Sequence, residues 1–223
     1  MSDPLFTLMA YSIAPAVFIG WARYKKMDPR FHPFVWIHTL GLLAEFISSF
    51  RIFYLSQDTA MNNNIYVLLE WILLVCLFCN WQTSAQKKKL YIGICIIISL
   101  VWVADTLVFG SIHQFTSIFR ICYSFALASM AIDAIAASLI ASKEKYYRNS
   151  RVIIGGAMVL YFTYKGILEI LYALRLTGAD SFGNTIFNIM GYINCIANIL
   201  FAYAMWHIPS RKKIEFKNQD HTI

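Results

Sequence analysis

Seven stretches of the chain are almost unbroken runs of apolar residues: 4–22, 33–54, 64–82, 90–109, 116–140, 151–174 and 184–207. Short segments richer in charge and in Asn, Ser and Gln separate them. A bilayer crossing takes about 20 predominantly apolar residues as a helix. A barrel strand would instead show segments of about ten residues alternating in polarity. The pattern therefore predicts seven membrane-spanning helices. Pro33 suits the first turn of the second helix, where its missing N–H is no loss. The Asn62-Asn63-Asn64 run suits the N-terminal cap of the third. Pro15, inside the first run, predicts a bend there. No Pro or Gly interruption recurs at matching positions of two halves, which speaks against a transporter built on inverted repeats.

Charge turns the spans into a topology. Fifteen of the nineteen Lys and Arg residues fall in four clusters: Arg23/Lys25/Lys26/Arg30, Lys87/Lys88/Lys89, Lys143/Lys145/Arg148/Arg151 and Arg211/Lys212/Lys213/Lys217. Two spans separate each cluster from the next. The intervening loops carry Asp3, Asp58 and Asp180, with only Arg175 at their edge. Basic loops stay on the cytoplasmic side, so the N-terminus is expected outside and the C-terminus in the cytoplasm. With 59% hydrophobic and 14% charged residues and a mean hydropathy of +0.57, the 223 residues are consumed by one seven-helix domain over 1–208 and a short basic tail over 209–223. The first span has Asp3 before it and Arg23 after it, the reverse of a secretory leader, and is expected to remain as an anchor. The net charge of +7 borders helix ends. It therefore points to anionic lipid headgroups rather than to nucleic acid. All five cysteines lie inside predicted spans and act as small apolar residues. Cys76 and Cys79 spell C-x-x-C without a second pair, which supplies neither a zinc set nor a redox context.

Eight charged residues interrupt the spans: Glu45, Arg51, Glu70, Asp105, Arg120, Asp133, Lys165 and Glu169. Each is costly at membrane depth unless paired, hydrogen-bonded or hydrated. Residues at i, i+3, i+4 and i+7 share a helix face. By that rule His38, Gly41, Glu45 and Ser48 form one polar stripe, and Asn63, Tyr66 and Glu70 a second. Tyr161, Lys165, Glu169 and Tyr172 form a third, and Asn184, Asn188, Gly191, Cys195 and Asn198 a fourth. Lipid satisfies none of these groups, so the stripes are expected to line an outward-facing polar cavity. Its candidate ligand-binding residues are Glu45, Tyr66, Glu70, Asp105, Arg120, Lys165, Glu169 and Asn188. Glu70 is expected to meet a cation, Arg120 or Lys165. A purely architectural use of the same charges would pair Lys165 with Glu169 along one helix and Glu70 with Arg120 across two. Arg51 lies off the Glu45 face and suits snorkelling to outer headgroups. Asp133 shares a face with Ser129, Ala137 and Ala141, which suits a hydrogen bond across a close helix contact.

No H-E-x-x-H or G-x-S-x-G motif is present, and the five histidines are dispersed, so neither a metal set nor a nucleophile triad is legible. No cofactor is implied. Seven helices with an intramembrane lysine invite comparison with microbial rhodopsins, but those carry the lysine on the last helix, and the span 184–207 holds none. Asn62-Asn63-Asn64-Ile65-Tyr66 followed by Glu70 resembles small seven-helix bacterial membrane proteins. That resemblance implies an inner-membrane location and nothing about substrate. Two readings of different class remain. One is a heptahelical binding or sensory protein for a small polar ligand or lipid headgroup, relaying to a separate signalling partner. The other is a membrane-embedded enzyme acting on lipid headgroups through Glu45, Glu70 and Asp105. A carrier, channel or accessory subunit comes behind both.

Overall fold

The computed structural model describes residues 9–115, 117–141, 148–174, 176 and 181–210. Residues 4–8 of the first expected span, Asp3, Arg175, Asp180, Lys143, Lys145, the side chains of Ala141 and Asn184, and the basic tail from Arg211 onward lie outside them. Among the described residues every element is helical. These are α1 (Ala14–Arg23), α2 (His32–Leu55), α3 (Ala60–Trp81), α4 (Ala85–Val103), α5 (Ser117–Ala141), α6 (Ser150–Ala173) and α7 (Ser181–His207). The runs containing α2 to α7 are six helices long and apolar enough to cross a bilayer, as in a multi-pass membrane protein. The ten-residue α1 is too short to span by itself. A 3-10 turn, Tyr11–Ile13, precedes it, with Pro15 in its first turn. Pro15 cannot donate to the Tyr11 carbonyl, and the backbone tightens there instead, with Ala14 N–H donating to that oxygen.

The helices close into a ring in the order α1, α2, α3, α5, α6, α7 and back to α1, with α4 packed outside α3 and α5. Helix α3 is the most enclosed. It buries Asn64, Val67, Glu70, Trp71, Leu74 and Phe78 at three- and four-residue spacing toward the bundle centre. Helix α4 is peripheral, burying Tyr91, Ile98 and Trp102 and exposing Ile92, Ile96, Ile97 and Leu100, the pattern of a lipid-facing helix. The most intimate pair is α5 with α6. A Cβ at Gly155 would lie 2.6 Å from Ile135 Cγ1 and 3.3 Å from the Ala131 carbonyl, so glycine is what lets these helices approach. The C-terminal ends of α1 and α7 are stitched together. The Arg23 guanidinium donates to the carbonyls of Met205 (2.6 Å), Trp206 and Ile208 (2.9 Å), satisfying the open C-terminal end of α7.

Helix ends differ from the sequence-based spans where they matter most. Helix α3 starts at Ala60, beside Asp58, whose side chain accepts the Ala60 N–H at 3.1 Å. The Asn62–Asn64 run is therefore inside the helix and does not cap it. Asn62 reaches the Ala44 carbonyl and Ser48 Oγ on α2, and Asn64 turns inward. The earlier start also moves Glu70 from near the outer end to the middle of its helix. Helix α4 runs on into a π-turn, Ala104–Val108. There Asp105 Oδ2 accepts the Phe119 N–H at 3.0 Å, supplying the first turn of α5 with an acceptor.

Candidate functional site

Two ion pairs sit one above the other in the centre of the bundle. In the lower one, Lys165 Nζ donates to Glu70 Oε2 at 3.4 Å, with both residues buried. The carboxylate also receives the Tyr66 hydroxyl on Oε1 and the Tyr123 hydroxyl on Oε2, each at 3.1 Å. The Lys165 ammonium lies 5.2, 5.3 and 5.7 Å from the ring centres of Tyr123, Tyr161 and Phe162, within cation–π range. It is thus held by one carboxylate and three rings.

In the upper pair, Arg120 donates to Glu169 Oε1 at 3.4 Å and to Asn64 Oδ1 at 3.1 Å, and its guanidinium packs 5.2 Å from the Phe115 ring centre. Asn64 in turn donates to the carbonyls of Ile112 (3.0 Å) and Gln114 (2.7 Å), while its own carbonyl accepts from Trp102 Nε1 at 3.1 Å. The loop between α4 and α5 is pinned to the charge centre by these bonds. Of the expected partners of Glu70, the structure selects Lys165. The alternative pairing of Lys165 with Glu169 and of Glu70 with Arg120 is replaced by its crosswise counterpart. The reason is level along the bundle: Arg120 lies about one turn beyond Tyr123 on α5, and Tyr123 meets Glu70. Lys165 on α6 therefore stands at the height of Glu70, and Glu169, one turn further, at the height of Arg120.

Below the lower pair lies a cavity of about 60 Å³ between the Tyr11–Ile13 turn and helices α2, α3, α6 and α7. Its polar lining is His38, Tyr66, Glu70, Tyr161, Asn194 and Asn198; Phe34, Leu74 and Phe201 are among its apolar walls. His38 Nδ1 lies 2.7 Å from the Phe34 carbonyl. A carbonyl only accepts, so Nδ1 carries the proton and Nε2 is left as an acceptor. Asn198 Nδ2 donates to Ser12 Oγ at 2.8 Å and makes a long contact with Asn194 Oδ1 at 3.5 Å. Among the described residues the lining holds no Ser, Thr or Cys.

Of the eight candidate residues, Tyr66, Glu70, Arg120, Lys165 and Glu169 are brought together, and only Tyr66 and Glu70 reach the cavity. Glu45 is half-buried on α2 without an ion-pair partner among the described residues. Asp105 supports the start of α5, and Asn188 is exposed. Asn188 and Asn198 are ten residues apart, a rotation that leaves them about 80° from a common face. The inward amides of α7 are Asn194 and Asn198, one turn apart. Residues absent from the candidate set but central here are His38, Asn64, Tyr123, Tyr161 and Asn194. Tyr123 carried no signal, because an aromatic among apolar neighbours reads as core. Asp133 pairs with Lys87 at 2.6 Å and also accepts from Tyr91 (2.6 Å) and Gln82 (2.9 Å), joining the adjoining ends of α3 and α4 to α5. Arg51 is half-buried near the C-terminal end of α2, with Nε unpartnered among the described residues. Among the described residues no three His, Cys, Asp or Glu side chains converge as metal ligands. Comparison with protein-family models, with curated proteins and with solved structures finds no match to this chain.

Proposed function

We propose that the chain is a seven-helix binding or sensory protein of a bacterial inner membrane that receives a small polar ligand in the central cavity. The observation that carries this reading is the Glu70 carboxylate, buried in the middle of a spanning helix and facing a cavity lined by further polar groups. Intramembrane ionisable groups at a polar cavity mark ligand or ion sites by default. In this reading α1 with the residues before it makes the seventh crossing, the N-terminus is outside, and the ligand enters from the outer side along the Glu45 face of α2. About 60 Å³ is room for a few water molecules or a small polar group. The enzyme reading draws less support, because Asp105 is engaged at the start of α5 and, of its three carboxylates, Glu70 alone lines the cavity among the described residues. The signal would pass to a separate membrane or cytoplasmic partner, across the face that carries the basic clusters.

For the topology, single cysteines placed at Gln86 and at Asn218, in a background lacking the five native ones, are expected to react with a membrane-impermeant reagent only from the cytoplasmic side. Labelling of the two from opposite sides would sink the orientation. For the cavity, the protein in lipid nanodiscs is screened by thermal shift against small amines, alcohols, amides and carboxylic acids. At least one compound is expected to raise Tm saturably in the wild type and to lose the effect in Asn194→Phe, which fills the cavity. If no compound discriminates between the two proteins, the cavity is not the ligand site.

A further inference from the structure

The charge that reaches the cavity is already matched. Glu70 is the one carboxylate among the described lining residues, and it receives Lys165, Tyr66 and Tyr123. Arg120 and Glu169 pair with each other on the level above. An ion entering at this depth would arrive without a counter-charge of its own and carry the cost of a charge in an apolar span. The balance favours an uncharged occupant.

The hydrogen-bonding groups left open in the lining are of both kinds. His38 Nε2 is an acceptor, because Nδ1 holds its proton toward the Phe34 carbonyl. Asn198 directs its N–H groups at Ser12 and Asn194, which leaves its oxygen as a second acceptor. Asn194 takes that contact on Oδ1 and keeps its own amide N–H groups as donors. Tyr161 lies beside the Lys165 ammonium, which only donates, so its hydroxyl proton is also free to be given. A primary carboxamide carries the reciprocal set on one planar group: two N–H donors and a carbonyl oxygen with two lone pairs. An alcohol or a carboxylic acid has a single donor, and a ketone has none. Water offers the same count of donors and acceptors as the amide but leaves the apolar wall of Phe34, Leu74 and Phe201 without a partner.

Resting on the reading of this cavity as the ligand site, we propose that it recognises a small, uncharged primary amide. The amide N–H groups donate to His38 Nε2 and Asn198 Oδ1, and the amide carbonyl accepts from Asn194 and Tyr161. A short alkyl stem lies against Phe34 and Phe201. The Glu70–Lys165 pair stays intact beside it and sets the neutral field that turns ions away. The volume of about 60 Å³ suits a molecule of acetamide size.

The test uses the full chain in lipid nanodiscs, titrated with acetamide and with three molecules of nearly the same shape: acetone, which lacks the N–H groups, acetate, which is an anion, and acetamidinium, which is a cation. Ionic strength is matched with sodium chloride. A saturable rise in Tm is expected with acetamide, and an apparent affinity at least roughly fivefold weaker with each of the other three, the usual cost of leaving one buried polar group unpaired. Tyr161→Phe removes one donor and His38→Phe one acceptor, and each should weaken acetamide by a similar factor. Acetone, having no N–H to lose, should respond to Tyr161→Phe and not to His38→Phe. Contact between 13C-acetamide and the Phe201 ring in solid-state NMR reads the same site without any substitution. Equal or tighter binding of acetone, acetate or acetamidinium overturns the proposal, as does an acetamide effect that neither variant changes or that comes without the NMR contact. If acetamide fails while another compound binds in an Asn194→Phe-sensitive way, the amide assignment falls and the cavity remains a ligand site. If every compound fails, both readings fall.

Discussion

Lys165→Met is expected to destabilise the protein by about 3–5 kcal/mol, the usual consequence of removing one member of a buried ion pair. The methionine stem keeps the contacts with Tyr123, Tyr161 and Phe162, and sulfur packs well against rings. The loss therefore reports charge rather than volume. What remains is the Glu70 carboxylate with two hydroxyl donors and no cation, in the middle of a spanning helix. Adding Glu70→Gln removes the stranded charge, so the double variant should be more stable than the sum of the singles by about 2–3 kcal/mol, at the upper end of coupling between contacting residues. Reversible unfolding in a membrane mimetic measures all four proteins of the cycle. A single-variant cost below about 1 kcal/mol would place the pair with exposed ones, whose worth is that small, and the buried-charge argument would fail.

Arg120→Met should cost a similar amount, about 3–5 kcal/mol, but with a different spatial signature. It strands Glu169 and leaves Asn64 Oδ1 without its donor, and Asn64 is the residue that holds the Ile112 and Gln114 carbonyls. The guanidinium also leaves its place against Phe115. Amide exchange over residues 109–115 should therefore accelerate in Arg120→Met and change little in Lys165→Met, whose partners lie one level deeper. Equal protection of the loop in both variants would mean that the upper pair does not position it.

The two pairs show where reading the sequence stops. That Glu70 needs a cation follows from the cost of an isolated carboxylate in an apolar span. Which cation it meets depends on the relative height of α3, α5 and α6, and helix ends displaced by a few residues are enough to change it. The start of α3 is the clearest case. Apolarity alone begins that helix at residue 64, because three asparagines interrupt the hydrophobic run. The Asp58 side chain and the α2 contacts of Asn62 carry the helix out to Ala60, and Glu70 moves from near an end to the centre. Asn188 lies exposed for a related reason. A stripe extended over ten residues drifts off its face, whereas Asn194 and Asn198, one turn apart, do not.

What the sequence by itself determined is the helical class and six apolar helices of spanning length. Both follow from local quantities, the length of apolar runs and the need of every backbone N–H and C=O for a partner within its own segment. The helical, rather than capping, role of Asn62 and Asn64, the crosswise ion pairs, the capture of Asp105 by α5 and the cavity at Glu70 were decided only by tertiary structure. Each depends on which residues of different helices arrive at the same height and angle. That is set by close packing such as Gly155 against Ala131 and Ile135, and no single helix encodes it.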